Sequence, residues 1–135
     1  ESKDIRKEVK ELLHSHSDEE IKSNAKWLNL LSMYEGGGGL KEQDATSAEA
    51  LNAFYTPRNV VEAVWKLADI YAPNARTVLE PSSGIGRFAE GRSKDFTLCE
   101  IDETSARIAG ILHPEAEIKQ GAFQKLFMKN NPQNR

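Results

Sequence analysis

Two carboxylates and two glycines are spaced in this chain as a nucleotide-like ligand would need them. In Val78-Leu79-Glu80-Pro81-Ser82-Ser83-Gly84-Ile85-Gly86-Arg87-Phe88, a short apolar run stops at an acid and a proline and then opens a Gly-x-Gly turn. Gly84 and Gly86 lack the β-carbons that would hold a ligand off the main chain, and Gly84 can also adopt a positive φ. A cofactor could therefore lie on bare backbone near the amino end of the helix that follows. Twenty residues after Glu80, Glu100 ends a second apolar run, Phe96-Thr97-Leu98-Cys99-Glu100. An acid at such a strand tip can take both hydroxyls of a ribose. Glu100 is thus the ribose candidate, and Ile101 beside it offers a surface for an adenine face. Asp102, ahead of Glu103-Thr104-Ser105-Ala106, reads equally well as a helix N-cap.

Gly84-x-Gly86-x-x-Ala89 with a downstream acid also fits a loose dinucleotide-binding fingerprint. The segment between strand and glycine distinguishes the two ligand classes. In a dinucleotide fold the first glycine follows the strand almost at once, whereas here Glu80-Pro81-Ser82-Ser83 carry a carboxylate into the loop. A carboxylate repels a pyrophosphate and attracts an α-ammonium, so the loop favours S-adenosylmethionine over NAD.

The elements that must position these residues are legible from pattern. Thr77 to Leu79 reads as a buried parallel strand, ended by Pro81, which has no N–H for the ladder. Arg58 to Tyr71 reads as an amphipathic helix with Val60, Val61, Val64, Leu67, Ala68 and Tyr71 on one stripe. Thr56 caps it in this reading, and Pro57 takes the first helical position, where its missing N–H is harmless. Upstream, Asp4 to His14 predicts a short charged helix with Ile5, Val9, Leu12 and Leu13 inward. A capping box at Ser17-Asp18-Glu19-Glu20 predicts a second helix running to Tyr34, with Ile21, Trp27, Leu28 and Leu31 inward. The two would form a helical hairpin over the core. Residues 41–50, polar and alanine-rich, read as a linker or a short solvated helix. His14 and His16 flank a turn without the further ligands that zinc requires, so no metal site is expected.

With Ala53-Phe54-Tyr55-Thr56-Pro57 ahead of the first helix of this part and Glu80-Pro-Ser-Ser-Gly-x-Gly-x-Phe after it, the chain resembles the class I S-adenosylmethionine-dependent methyltransferases, in particular the N6-adenine DNA methyltransferases. The resemblance implies that Tyr55, Thr56 and Pro57 line the methionine end of the cofactor. It implies that Glu80, Pro81, Ser82, Gly84, Gly86 and Phe88 form the loop that wraps it, and that Glu100 holds the ribose. Gln120-Gly121-Ala122-Phe123 lies where the family's third-strand acid should be; alanine replaces the acid, and Phe123 is left to flank the adenine ring. A narrower resemblance, to the methylase module of very large methylase-helicase proteins of phages, plasmids and conjugative elements, rests on Tyr34-Glu35-Gly36-Gly37-Gly38-Gly39-Leu40, on Leu51 to Thr56 and on Arg107-Ile108-Ala109.

The family's Asn-Pro-Pro-Tyr or Asp-Pro-Pro-Tyr loop, which holds the target amino group, has no counterpart, because the sequence contains no Pro-Pro pair. Asn130-Asn131-Pro132-Gln133-Asn134 resembles it superficially, but no apolar strand precedes it and it reads as a loop. The expectation is therefore an α/β chain in two parts. Residues 1–50 form a helical amino-terminal segment with a Gly-rich turn; residues 51–135 form the S-adenosylmethionine-binding half of a partial Rossmann-like class I methyltransferase fold, its first three strands, as a fragment that binds cofactor without transferring methyl groups. An RNA or protein methyltransferase fragment, or a non-catalytic methyltransferase-like interaction module, are the alternatives.

Composition bounds the partners. A formal net charge of −3 gives no global electrostatic footprint for DNA. Arg87, Arg92, Lys94, Lys125, Lys129 and Arg135 read as solvated faces, so DNA would be contacted mainly through segments that this chain lacks, with helicase or target-recognition regions elsewhere in a parent protein. The single cysteine, Cys99, reads as core. No apolar run approaches the ~20 residues that span a membrane, and the charged start is no secretory signal, so a cytoplasmic location is expected.

Overall fold

The computed structural model describes residues 2–35 and 55–127. The glycine run 36–39 with Leu40, the linker reading of 41–50, the Leu51 to Phe54 match, the 130–134 tail, Lys129 and Arg135 all lie outside the described residues, as does the expected division at residue 50.

Three helices come first. Helix α1 (Ser2–Ser15) is built on the expected stripe, with Val9, Leu12 and Leu13 buried. Helix α2 (Asp18–Lys22) starts at a complete capping box: Glu20 donates its N–H to Ser17 Oγ at 3.3 Å, and Ser17 donates its N–H to Glu20 Oε2 at 3.0 Å. The helix expected to run on to Tyr34 is instead divided. Asn24 accepts from the N–H groups of Lys26 and Trp27 at 3.1 and 3.2 Å and so opens a new helix, α3 (Ala25–Ser32). A short amide side chain that can cap the backbone competes with helix continuation, and here it prevails. The inward set is as expected, with Ile21 and Leu31 fully buried and Trp27 and Leu28 packed against them.

Helix α4 (Arg58–Tyr71) departs from the sequence reading at its start and on its face. Its N-cap is Pro57, whose carbonyl accepts from Val60 and Val61, and no side chain caps it; Thr56 stands one residue outside. The buried stripe is Val61 and Trp65 with Ala68 packed beside them, whereas Val60, Val64, Leu67 and Tyr71 are exposed. Trp65 decides the rotation of the helix. Its ring meets Phe96 edge-on at 6.0 Å, and its indole N–H donates to the Phe88 carbonyl at 2.9 Å, so the largest side chain finds both an apolar seat and a polar partner.

Among the described residues the sheet has three strands in the order β1-β2-β3, all parallel: β1 (Thr77–Glu80), β2 (Asp95–Glu100) and β3 (Glu117–Gln120). β1 stops at the residue before Pro81, as expected, but it is an edge strand, and Leu79 remains 47% exposed. Residues on one face, Val78, Phe96, Leu98 and Ile118, share a core with Val61, Trp65 and Ala109. β1 and β2 are joined through a single 3₁₀ turn (Arg87–Ala89), and β2 and β3 through α5 (Glu103–Leu112). Asp102 is the N-cap of α5, accepting from the Ser105 N–H at 2.8 Å.

Helix α5 lies between the two cores. Ala109 faces the sheet cluster, while Ile108 and Ile111 join Val9, Leu12, Leu13, Ile21 and Leu31. Each fully buried isoleucine contributes about 1.5–3 kcal/mol through removal from water. Arg107 reinforces the junction: it reaches back to the Leu13 carbonyl at 2.7 Å, the His16 carbonyl at 3.3 Å and Asp18 Oδ1 at 2.8 Å. A four-residue helix, α6 (Phe123–Leu126), follows β3. The architecture is α/β, with helices and a small parallel sheet. Among the described residues no helix is long and apolar enough to cross a membrane.

Candidate functional site

The two acids end adjacent parallel strands. Glu80 pairs in register with Leu98, so Glu100 lies two residues farther along β2 at the same end of the sheet. Between them the loop is held by backbone groups. Ser83 donates its N–H to the Cys99 carbonyl at 2.9 Å, and Gly84 donates its N–H to Glu100 Oε2 at 2.7 Å. Glu100 Oε1 accepts from the Asp102 N–H at 3.0 Å, and Glu80 Oε1 accepts from the Ser82 N–H at 3.1 Å. Glu100 therefore fastens the Gly84 loop to the N-cap of α5. Each of its oxygens keeps a further lone pair for a hydroxyl donor.

The fold itself requires both glycines. Gly84 and Gly86 both adopt positive φ, +56° and +87°. Their missing β-carbons, however, make room for protein. A β-carbon on Gly84 would come 3.2 Å from the Tyr55 ring, and one on Gly86 would come 2.6 Å from His113 Cδ2. Gly86 is itself buried. In the ligand-free chain, Tyr55 and His113 occupy the space that β-carbons on these glycines would take. The helix expected after the loop is also only the single 3₁₀ turn, so the loop carries no long helix dipole.

Tyr55 is brought into contact with this loop. Its hydroxyl and Ser105 Oγ lie 2.8 Å apart, its ring covers Gly84, and the Thr56 carbonyl accepts from Arg87 Nη1 at 3.3 Å. Pro57 is exposed at the start of α4, and Pro81 and Ser82 are exposed in the loop. Phe88 turns the other way, its side chain packed against the sheet core and its carbonyl against Trp65. Ile101 is 43% exposed beyond the tip of β2, and its carbonyl accepts from Gln120 Nε2 at 3.0 Å. Phe123 opens α6 after β3 at the same end of the sheet, 36% exposed, with its ring 5.0 Å from that of Phe127. Ala122 stands at the N-cap of α6 and supplies no side-chain bond. Tyr55, Gly84 and Glu100 are in direct contact, Ile101 and Phe123 flank the end of the sheet, and Phe88 belongs to the core.

The charges of Glu80 and Glu100 act on each other at the site. Burial pushes the Glu80 carboxyl above its ordinary range; the Ser82 N–H pulls it down, and the charge of Glu100 raises it again. Burial also raises the Cys99 thiol, an inert core group on the middle strand. Tyr34, buried beside the site, has its phenol pushed up to about 12 by burial and then by the charge of Asp102, so it stays a neutral donor. Residues that the sequence did not mark also build the loop, and one reading is corrected: Arg87, expected on a solvated face, has a side chain only 11% exposed because it is enclosed by Glu35, Tyr55 and Thr56. Arg87, an unspecified position of the Gly-x-Gly pattern, pairs with Glu35 Oε1 at 3.0 Å, and His113 seats against Gly86. Burial pushes the His113 imidazole below its ordinary value, and its Nε2 is buried without a hydrogen-bond partner.

The chain is similar to a phage protein. Over 99 residues the chain is 32% identical to Defense against restriction protein B of Escherichia phage P1. The similar region covers 72% of this chain but 4% of the phage protein, so the chain spans a small part of that protein's length. No family model matches the chain, and no solved structure matches it.

Proposed function

We propose that this chain is the cofactor-binding part of an S-adenosylmethionine-dependent adenine-N6 DNA methyltransferase, built on the first three strands of a class I, Rossmann-like domain. The observation that carries the reading is the pair of carboxylates, Glu80 and Glu100, at the ends of adjacent strands, which have no ion-pair partner among the described residues, with the Glu80 carboxyl raised by burial and by its neighbour. Two partly desolvated carboxylates favour a cation. S-adenosylmethionine carries an ammonium and a sulfonium, whereas the pyrophosphate of NAD would be repelled.

In this reading Glu80 receives the ammonium, Glu100 accepts the ribose hydroxyls with its free lone pairs, and Ile101 and Phe123 flank the adenine. Tyr55, Thr56 and Pro57 bound the methionine end, beside Pro81, Ser82, Gly84 and Gly86. Phe88 supports the loop from the core side. When bound, the cofactor would supply an electrophilic methyl group, whose bond to sulfur breaks as the target amine takes it and loses a proton, leaving the thioether S-adenosylhomocysteine. The residues that would hold that amine are not in this sequence, which has no Pro-Pro pair, so binding without transfer is expected. Similarity to a phage protein that defends against restriction supports a role around DNA modification in a mobile-element protein.

Calorimetric titration of the folded chain with S-adenosylmethionine, with NADH as control, tests the reading. Saturable binding that weakens in both Glu80→Gln and Glu100→Ala is the expected result. NADH binding in its place overturns the methyltransferase reading; a folded chain that takes neither ligand leaves a non-catalytic module.

A further inference from the structure

Arg87, in the loop, touches two segments distant from it in the chain. Its Nη2 pairs with Glu35 Oε1 at 3.0 Å, just after the helical amino-terminal segment. Its Nη1 donates to the Thr56 carbonyl at 3.3 Å, and its guanidinium lies 5.9 Å from the centre of the Tyr55 ring. The next residue, Phe88, is anchored by Trp65. Only 11% of the side chain is exposed, and Nε is buried without a hydrogen-bond partner. A guanidinium so enclosed has no face to offer a ligand. It can act only through what it holds, which is the Tyr55–Thr56 backbone and ring.

We infer that Arg87 is a positioning residue: gripping the Glu35 carboxylate, the Thr56 carbonyl and the Tyr55 ring at once, it sets Tyr55 on Gly84 and so fixes the wall against which the amino-acid end of the ligand lies. The inference rests on the cofactor reading above for its ligand, but the geometry it describes is that of the ligand-free chain. Arg is suited to the task because its planar fork can serve two acceptors in different directions while its face covers a ring; the point charge of lysine cannot do all three.

The test has two arms on the whole 135-residue chain. In the ligand-free chain, the nuclear Overhauser contact between the Tyr55 ring and the Gly84 α-protons should be lost in Arg87→Lys and weakened in Glu35→Gln, yet kept in Arg92→Lys, whose arginine lies over Trp65. Persistence of that contact in Arg87→Lys overturns the inference whether or not any ligand binds. In the second arm, S-adenosylmethionine and 5′-methylthioadenosine, which lacks the amino-acid end, are titrated into each folded variant. Arg87→Lys should weaken S-adenosylmethionine by about tenfold and 5′-methylthioadenosine by less than about twofold. Equal losses for both ligands would mean a general collapse of the loop and overturn the inference, as would no loss for either. If Arg87→Lys does not fold, Glu35→Gln carries both arms, with a smaller loss in the same order. A wild-type chain that binds neither ligand defeats the cofactor reading alone, and the Tyr55–Gly84 contact then decides the role of Arg87.

Discussion

Substituting Gly86 by alanine should be the most damaging single-carbon change in the loop. At φ +87° a β-carbon meets the strain of left-handed backbone, which adds roughly 1–2 kcal/mol. It would also lie 2.6 Å from His113 Cδ2, 2.8 Å from His113 Nε2 and 3.0 Å from Leu98 Cδ1. Relief of such overlap in a packed site typically costs about 1–3 kcal/mol, so the total is about 2–5 kcal/mol. Gly91 is the internal standard. Its φ is +67°, but a β-carbon there would meet nothing within 4 Å, so Gly91→Ala should show the backbone part alone, about 1–2 kcal/mol. Urea unfolding followed by far-ultraviolet circular dichroism measures both variants. Adding His113→Ala to Gly86→Ala should recover part of the difference between them, because it removes the ring that the new methyl strikes. Equal losses for Gly86→Ala and Gly91→Ala would refute the packing account.

Other outcomes follow from the same contacts. Glu100→Ala should destabilise the ligand-free chain by about 1.5–3 kcal/mol, because the Gly84 and Asp102 N–H groups lose a charged acceptor; an unchanged melting temperature without ligand would show that Glu100 does not hold the loop. Burial lowers the native His113 pKa below its ordinary value of 6.5. The unfolded chain therefore takes up this proton first on acidification, and stability should fall as pH drops below 6.5 toward the native value, by at most about 1.4 kcal/mol per pH unit. Melting temperatures at several pH values should show a steeper acid slope for wild type than for His113→Gln, and identical slopes would contradict the buried neutral imidazole. Arg107→Ala should remove about 1–3 kcal/mol, discounted for partial exposure, and should lower amide protection in α1 more than in β2 when hydrogen exchange is followed by mass spectrometry.

What the sequence disclosed was local. The Ser17–Glu20 capping box, the Asp102 cap, the end of β1 before Pro81 and the inward stripe of α1 each depend on residues within a few positions of one another. What it concealed depends on partners far along the chain. Val60, Val64 and Leu67 form one apolar stripe of α4 and Val61 with Trp65 another, and only the sheet, through Phe96 and the Phe88 carbonyl, selects the second. Asn24 was hidden inside a continuous apolar period, where a polar side chain that caps looks the same as one that points to water. At the site, the spacing of Glu80, Gly84, Gly86 and Glu100 marked the loop correctly. It did not disclose the packing at Gly86, because nothing near that residue in sequence reveals that His113 will seat beside it.

The Arg107 junction also has a consequence in time. Arg107 and Asp18 are 89 residues apart, and at a synthesis rate of about 5–20 residues per second the ribosome reaches the arginine roughly 4–18 s after the aspartate. Until then Ile108 and Ile111, which close the core around Val9, Leu12, Ile21 and Leu31, do not exist. The amino-terminal helices must emerge with that apolar seam uncovered, in a window long enough for a holding chaperone to engage them. A codon change that slows translation between these positions would lengthen their exposure while leaving the finished protein identical.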